Sequence, residues 1–222
     1  MLINPDVDTD SNIVWICDHC GTMLNIQEGF SEQCGEWKCT ICGTVGKIKA
    51  CNVFTSEEEY QGSLRDPYRG LTNDEVLALS HYQHIEYLSG RKDIILVKNR
   101  TTDTVYVKKI LTTYNRSVYD YLLSHPIKYI PRIEALYEGS NCLIVIEEYV
   151  PGRTVDEILK DRLLSEDEAL RILKNICGIL KNMYSLPTPM IHRDIKPSNI
   201  IISNKGEVYL LDMNVAKWYD PG

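Results

Sequence analysis

The segment from residue 192 to residue 214 constrains this chain more than any other part of it. The segment begins with the sequence HRDIKPSN at 192–199. An apolar run, a turn and a second apolar run follow in order: Ile200 to Ile202, Asn204-Lys205-Gly206 and Val208 to Leu211. Two apolar runs separated by a turn that contains glycine predict a β-hairpin. Asp194 and Asn199 precede this hairpin and Asp212 follows it, so we expect two carboxylates and an amide around one site that suits a metal-bound nucleotide.

The order of these residues resembles the catalytic loop and the metal-binding turn of eukaryotic-type Ser/Thr protein kinases. The resemblance implies that Asp194 accepts the proton of a substrate hydroxyl. Lys196, which follows the Ser/Thr pattern, would lie near the transferred phosphate, and Asn199 and Asp212 would hold Mg²⁺ against ATP. In the alternative interpretation, Asp194 is a solvated loop carboxylate and Asp212 is a turn former. That alternative requires both residues to lack a role while the order of the motif still holds.

Residues 104–110 alternate between the two faces of a β-strand, and they resemble the kinase strand that carries the nucleotide-contacting lysine. Lys108 is the predicted lysine. The interpretation as a solvent-facing lysine fits Lys109 better than Lys108. The valines of this strand would point away from Lys108 unless the strand is covered on both sides.

A second upstream segment also resembles part of a kinase small lobe. Leu143 to Ile146 form an apolar run that predicts a buried strand, and residues 147–150 follow as a connector. The connector resembles the kinase hinge, whose backbone groups bind adenine, and the resemblance assigns Glu148 and Val150 to ATP binding. The Pro151-Gly152 pair that comes next predicts a turn.

Capping-box sequences predict the starts of three helices: Thr72 to Glu75, Thr154 to Glu157 and Ser165 to Glu168. The third box opens a run with apolar residues on one helical face: Ala169, Ile172, Leu173, Ile176, Leu180 and Met183. Pro187 and Pro189 end this helix before His192. We expect it to pack under the catalytic loop.

Three departures from the family pattern support an alternative function. The stretch 88–93, which corresponds to the glycine-rich phosphate loop, contains one glycine. The helical segment 112–125 has no glutamate to pair with Lys108, which leaves Asp120 as the nearby acid. Ten residues follow Asp212, so we expect this chain alone to transfer phosphate poorly. The alternative to an active kinase is a catalytically impaired pseudokinase that acts as a protein-binding module.

The N-terminal region contains two Cys-x-x-Cys pairs, each followed by a glycine: Cys17 with Cys20, and Cys39 with Cys42. Eighteen residues separate the pairs, which lies within the spacing of a four-cysteine zinc site. The pattern resembles a zinc ribbon, with Trp15, Leu24 and Trp37 as an apolar cover. Iron, bound in the rubredoxin manner, stays an alternative metal. Disulfides are disfavoured because no secretory signal precedes Cys17, and Cys34 is expected to be a spare thiol on the ribbon loop.

Charge is divided unevenly along the chain. Residues 1–60 contain ten acidic and three basic side chains, whereas residues 61–222 contain 21 of each. The excess negative charge of the first segment argues against nucleic-acid binding by the ribbon and favours a protein partner. No apolar run approaches the length of a membrane span, so we expect no membrane association and a cytoplasmic location.

Together these patterns predict an α+β fold in three parts. Residues 13–50 form a zinc-ribbon-like four-cysteine module, and residues 51–84 form a connector with a short helix. Residues 85–222 form a protein-kinase-like domain that consists of the small lobe and the first part of the large lobe. The predicted ligands are ATP, Mg²⁺ and Zn²⁺, and the predicted substrate is a protein with Ser or Thr.

Overall fold

A computed structural model describes residues 14–17, 19–31, 35–48, 53–54, 56, 62 and 66–220 of the 222-residue chain. The chain divides into two compact units, Met1–Gly70 and Leu71–Gly222. The second unit begins inside the predicted connector 51–84, so the short helix of that stretch belongs to the larger unit. The predicted spare thiol Cys34 lies outside the described residues.

The described residues of the first unit form four short strands: β1 (Val14–Trp15), β2 (Glu36–Lys38), β3 (Val45–Lys47) and β4 (Val53–Phe54). β1 pairs with β4 and β2 pairs with β3, both in antiparallel fashion. The predicted apolar cover is present, because Trp15 and Leu24 are buried and Trp37 packs against them. Phe30 joins the cover, with its ring centroid 6.1 Å from that of Trp15 and 5.1 Å from that of Trp37.

The second unit opens with a five-stranded antiparallel sheet in the order β5-β6-β7-β9-β8. Its strands are β5 (Tyr82–Tyr87), β6 (Ile94–Asn99), β7 (Val105–Leu111), β8 (Ile133–Glu138) and β9 (Leu143–Glu148). Two helices belong to this part of the chain, α1 (Asn73–Ser80) and α2 (Arg116–Ser124). A 3-10 turn, Leu88–Gly90, connects β5 to β6.

The sheet is covered on both faces. Side chains alternate along a strand, so Leu143 and Val145 of β9 face the core that contains Leu122 of α2. Ile144 and Ile146 face the other side, where a separate core contains Leu79 of α1 with its neighbours. Burial on both faces explains why β9 is a continuous apolar run rather than an alternating one.

The remaining elements carry the catalytic-loop motif. They are β10 (Gly152–Thr154), α3 (Val155–Asp161), α4 (Glu166–Tyr184), β11 (Met190–Ile191), β12 (Ile200–Ser203), β13 (Val208–Leu210) and β14 (Lys217–Trp218). β12 and β13 form the predicted hairpin, β10 pairs with β12, and β11 pairs with β14. The mixture of helices and antiparallel sheet confirms the predicted α+β class. Among the described residues, no helix has both the length and the apolar content that crossing a bilayer requires.

The three predicted capping boxes are present at the starts of α1, α3 and α4. α4 packs against β11 and β13, under the catalytic loop as predicted. Its buried face consists of Ile172, Ile176, Ile179 and Met183. The prediction of Leu173 on this face is wrong, since its side chain is 59% exposed. The buried positions 172, 176, 179 and 183 are spaced by four, three and four residues, so the buried face of the helix includes Ile179 rather than Leu173.

Gly152 permits a close approach between two backbones, and this allows a prediction. A Cβ built on Gly152 would lie 2.7 Å from Ser203 Cα and closer still to Ile202 O. We expect Gly152→Ala to destabilise the second unit by about 1–3 kcal/mol, the usual cost of overpacking. Gly178 of α4 is the matched control, because no atom apart from its chain neighbours and its own helix backbone lies within 4 Å of its Cβ position. Gly178→Ala should stabilise the helix by about 0.5–1 kcal/mol. Thermal unfolding of both variants checks the opposite signs, and equal shifts would contradict the close approach.

Candidate functional site

A cleft of about 340 Å³ lies between the five-stranded sheet and the β12–β13 hairpin. The sheet and the connector after β9 line one side of it. The other side is lined by residues of the catalytic-loop segment, among them Lys196, Asn199 and Asp212. With Glu148 and Val150 of the connector, the structure therefore brings five of the predicted site residues to one cavity. Asp194 lies beside the cleft, in direct contact with two of these lining residues.

Asp194 is held by two donors. Lys196 Nζ donates to Asp194 Oδ2 at 2.7 Å, and Asn199 Nδ2 donates to the same oxygen at 2.9 Å. Asn199 Nδ2 also donates to the backbone oxygen of Asp194 at 2.9 Å. The bond from Lys196 is the main reason that the pKa of Asp194 lies below its ordinary value. Asp194 is therefore ionised at neutral pH and can act as a proton acceptor.

His192 supports the loop from below. The imidazole is 1% exposed, and its Nε2 lies 2.9 Å from the backbone oxygen of Leu211. The backbone N–H of Asp194 donates to His192 Nδ1 at 3.2 Å. Burial lowers the pKa of His192, which agrees with a neutral ring that donates from Nε2 and accepts at Nδ1. The side chain thus links the loop to the strand end before Asp212 and has a structural role.

Asn199 and Asp212 line the same cleft. Because Asn199 Nδ2 is occupied by Asp194, the orientation of the amide leaves Oδ1 as the atom that can reach a metal. The backbone N–H of Leu211 donates to Asn199 O at 2.8 Å, which ties the two segments together. Asp212 has a φ of 66° and accepts from the N–H of Asn214 through Oδ1. One amide oxygen and one carboxylate suit Mg²⁺, which takes oxygen ligands.

Lys109, and not Lys108, lies in the cleft. Lys109 shares a face of β7 with Val107, another lining residue, because side chains two positions apart point the same way. Lys108 faces the α1 side of the sheet and is buried there. The interpretation of Lys109 as solvent-facing fails because the sheet is covered on both faces, and Lys109 is only 6% exposed. Lys109 therefore replaces Lys108 as the candidate for the nucleotide-contacting lysine.

The carboxylate next to Lys109 comes from strand β9. Lys109 Nζ lies 2.6 Å from Glu147 Oε1, and both side chains are buried. Asp120, the acid expected from the sequence, instead forms an ion pair with Arg116 of the same helix at 2.8 Å. Sequence reasoning missed Glu147 because the pair joins residues that are distant along the chain.

The predicted hinge residues border the cleft. Glu148 and Val150 both line it. The backbone N–H of Glu148 donates to Arg132 O at 2.8 Å, and its carboxylate accepts from Arg132 N at 3.2 Å. Among the described residues, no hydrogen bond engages the backbone of Val150. That backbone is therefore free to bind a ligand in the cleft.

Arg91 is a lining residue that the sequence did not indicate. It follows the 3-10 turn Leu88–Gly90, where the family has a glycine-rich loop. Its guanidinium donates to both oxygens of Asp93, at 3.0 and 2.6 Å. The bond to Asp93 raises the pKa of Arg91, and the negative charge of Asp212 contributes to the same shift. A fixed cation thus stands at the cleft on the side of the single-glycine turn.

The first unit contains the second candidate site. The Sγ atoms of the four predicted cysteines lie within 4.8 Å of one another: Cys17, Cys20, Cys39 and Cys42. Two of the distances are 3.8 Å, between Cys17 and Cys42, and 3.7 Å, between Cys20 and Cys39. Four sulfurs placed tetrahedrally at about 2.3 Å from zinc would be about 3.8 Å apart. The distances are far too long for disulfides, whose S–S bond is about 2.05 Å.

The two Cys-x-x-Cys pairs and the glycines that follow them have the same backbone conformation. Gly21 and Gly43 have φ values of 71° and 72°, and their N–H groups donate to the oxygens of Cys17 and Cys39. This conformation suits glycine, because other residues are strained there. Burial raises the pKa of Cys17 to about 11, and a hydrogen bond from the Thr44 side chain lowers that of Cys42 to about 5. A coordinated thiol is deprotonated outright.

Gln27 braces the cluster, although the sequence did not single it out. Its Nε2 donates to Cys39 Sγ at 3.4 Å. Its Oε1 accepts from Trp37 Nε1 at 3.0 Å and from the backbone N–H of Thr40 at 2.9 Å. The amide therefore connects the apolar cover to a candidate metal ligand, as outer-shell partners of metal sites do.

Comparison with known proteins concerns the second unit. A sequence model of the family described as "Protein kinase domain" matches residues 92–222. The serine/threonine-protein kinase PEPKR2 of Arabidopsis thaliana is 28% identical over 145 residues, which are 59% of this chain and 30% of that protein. The serine/threonine-protein kinase tousled-like 2 of Mus musculus is 35% identical over 98 residues, 40% of this chain and 14% of that protein.

A third relative, 3-phosphoinositide-dependent protein kinase 1 of Arabidopsis thaliana, is 29% identical over 136 residues, 56% of this chain and 27% of that protein. The chain thus spans less than a third of the length of these relatives. The family match, in contrast, covers more than half of the chain and includes every lining residue of the cleft from Ile94 to Asp212. The chain belongs to the protein kinase family, and its relatives PEPKR2 and tousled-like 2 are named serine/threonine-protein kinases.

Proposed function

We propose that the cleft binds ATP with Mg²⁺ and that the protein transfers the γ-phosphoryl group to Ser or Thr hydroxyls of a protein substrate. The observation that carries this proposal is the convergence of Lys109, Asn199 and Asp212 on one cavity beside Asp194. Phosphoryl transfer depends on positioning and on neutralising charge, and these side chains supply both.

Each residue has a distinct role in the proposed reaction. Asn199 and Asp212 would hold Mg²⁺, and a bound Mg²⁺ would neutralise negative charge on the phosphates. Lys109 takes the place of Lys108 as the nucleotide-contacting lysine, because it is the one that lines the cleft. Asp194 would accept the hydroxyl proton of the substrate. Lys196 lies 2.7 Å from that carboxylate and would move toward the transferred phosphate.

Adenine recognition is proposed for the hinge. Val150 lines the cleft, and its backbone makes no backbone hydrogen bond among the described residues, which supports a role in binding the base. Glu148, which belongs to the same connector as Val150, would also contribute to adenine binding. Arg91, held by Asp93, would face the phosphates from the opposite wall. This cation would partly replace the missing glycines of the phosphate loop.

A thermal-shift experiment tests nucleotide binding. At Mg-ATP concentrations of about 100 times Kd, we expect the melting temperature of the second unit to rise by roughly 5–10 °C. Asp212→Ala should abolish the part of this shift that requires Mg²⁺, measured as the difference between Mg-ATP and ATP with a chelator. Asp74→Ala, an exposed carboxylate of α1 outside the cleft, is the matched control. Equal shifts in wild type and Asp212→Ala would contradict the metal assignment.

A second candidate function is a pseudokinase that binds a partner protein without phosphate transfer. The 3-10 turn at Leu88–Gly90 favours it, because a single glycine limits close approach of the backbone to phosphates. Absence of any shift at millimolar Mg-ATP would support this alternative. A shift without turnover on Ser/Thr substrates would support a nucleotide-binding pseudokinase.

We also propose that the four cysteines of the first unit bind one Zn²⁺. The sulfur distances near 3.8 Å and the set of four thiolates support a tetrahedral structural site. Iron is the alternative, because a tetrahedral set of four thiolates also suits it. A protein partner for the ribbon, the lack of nucleic-acid and membrane binding, and a cytoplasmic location stay predictions.

A further inference from the structure

The ion pair between Lys109 and Glu147 is the most buried one that the described residues form. The two side chains are 7% and 8% exposed, and Lys109 Nζ lies 2.6 Å from Glu147 Oε1. Burial raises the pKa of Glu147, and the adjacent charge of Lys109 opposes that rise. A buried carboxylate and a buried ammonium are each costly alone, so each holds the other in place.

The register of the sheet determines this pair. In the antiparallel pairing of β7 with β9, Val107 lies opposite Glu147 and Lys109 lies opposite Val145. Lys109 and Glu147 are therefore diagonal neighbours on the same face, within reach of long side chains. Both line the cleft. The carboxylate that contacts the cleft lysine is thus fixed to the same rigid sheet as the lysine itself.

Helix α2 covers the same face of the sheet but supplies no carboxylate to Lys109. Its buried residues are Val118, Tyr119 and Leu122, all uncharged. Asp120 is half exposed and pairs with Arg116, which also donates to Glu138 at 2.8 Å. A lysine in this position therefore has its acidic partner in the sheet.

We propose that Glu147 is the positioning residue for Lys109, so that the lysine is oriented toward the nucleotide phosphates independently of where helix α2 lies. This inference rests on the proposed binding of Mg-ATP in the cleft. Protein kinases in which the lysine pairs with a helical glutamate are controlled by the position of that helix. In this chain the pair is assembled within β7 and β9, so a displacement of α2 leaves the lysine in place.

The test compares a ligand that has phosphates with one that lacks them. Glu147→Gln keeps the size of the side chain and removes its charge. We expect the Kd of Mg-ATP to rise about 10- to 100-fold, the usual value of a charge-assisted contact, because Lys109 loses its orientation. The Kd of adenosine, measured in parallel by calorimetry, should stay close to wild type. Asp120→Asn is the matched control and should change neither constant.

Several results would overturn the proposal. Equal weakening of Mg-ATP and adenosine binding in Glu147→Gln would mean that Glu147 only supports the fold. An ATP-selective loss in Asp120→Asn would assign the positioning role to α2. Absence of Mg-ATP binding by the wild type would overturn the proposed function and this inference together, whereas binding that Glu147→Gln leaves unchanged would overturn this inference alone.

A double-mutant cycle provides a second criterion and also covers a failure of Glu147→Gln to fold. If Glu147 acts through Lys109, the double variant Lys109→Met with Glu147→Gln should lose no more ATP affinity than Lys109→Met alone. Additive losses would overturn the proposal. Glu147→Asp keeps the charge but shortens the side chain, and it should show a smaller ATP-selective loss. If Glu147→Asp binds Mg-ATP as tightly as the wild type, the reach of the Glu147 side chain does not matter, and the positioning role is overturned.

Discussion

Cys39→Ser is expected to release the metal and unfold the ribbon while the second unit stays folded. Cys39 is 1% exposed and contacts both Cys20 and Gln27 through its sulfur. A structural zinc site contributes about 10–16 kcal/mol of apparent binding free energy, which is folding free energy in so small a module. The apolar cover of the ribbon is too small to compensate for that loss.

Metal analysis and tryptophan fluorescence check this prediction. The wild type should contain one equivalent of zinc, and Cys39→Ser should lose it. Trp15 and Trp37 belong to the ribbon, so their emission should shift to longer wavelength in the variant. Cys177→Ser is the matched control, because Cys177 is an exposed cysteine of α4 outside the cluster. Less than half an equivalent of zinc in the wild type, or iron in its place, would count against the zinc assignment.

Asp194→Asn is expected to lower kcat by about 10²–10⁴-fold in any form of the protein that phosphorylates Ser or Thr, the usual contribution of a general base. The substitution preserves the shape of the side chain but removes the charge that Lys196 Nζ contacts at 2.7 Å. KM for ATP should change little, because Asp194 itself does not line the cleft.

A radiolabelled phosphate-transfer assay with a Ser/Thr peptide substrate measures this effect. Asp167→Asn is the matched control, since Asp167 is an exposed carboxylate in the first turn of α4. A variant Asp194→Asn that keeps full activity would remove Asp194 from the mechanism.

Local signals in the sequence predicted the parts of the fold that depend on neighbouring residues. The capping boxes at Thr72, Thr154 and Ser165 are correct because the hydrogen bonds of a helix start involve residues three positions apart. The hairpin before Asp212 is correct for a similar reason, since a tight turn pairs the two runs that flank it. The cysteine spacing likewise predicted the four-sulfur cluster.

The sequence by itself determined which side chains the sites have available: Asp194, Asn199 and Asp212 for the cleft and four cysteines for the ribbon. Only the tertiary structure decided that Lys109 rather than Lys108 lines the cleft. Neighbouring residues of a strand point to opposite faces of the sheet, and which face borders the cleft depends on how the other elements cover the sheet. The pairing of Lys109 with Glu147 was also hidden, since β7 and β9 are adjacent in the sheet but separated along the chain. Periodicity assigns residues to faces, whereas contacts across a sheet depend on register, which no local pattern contains.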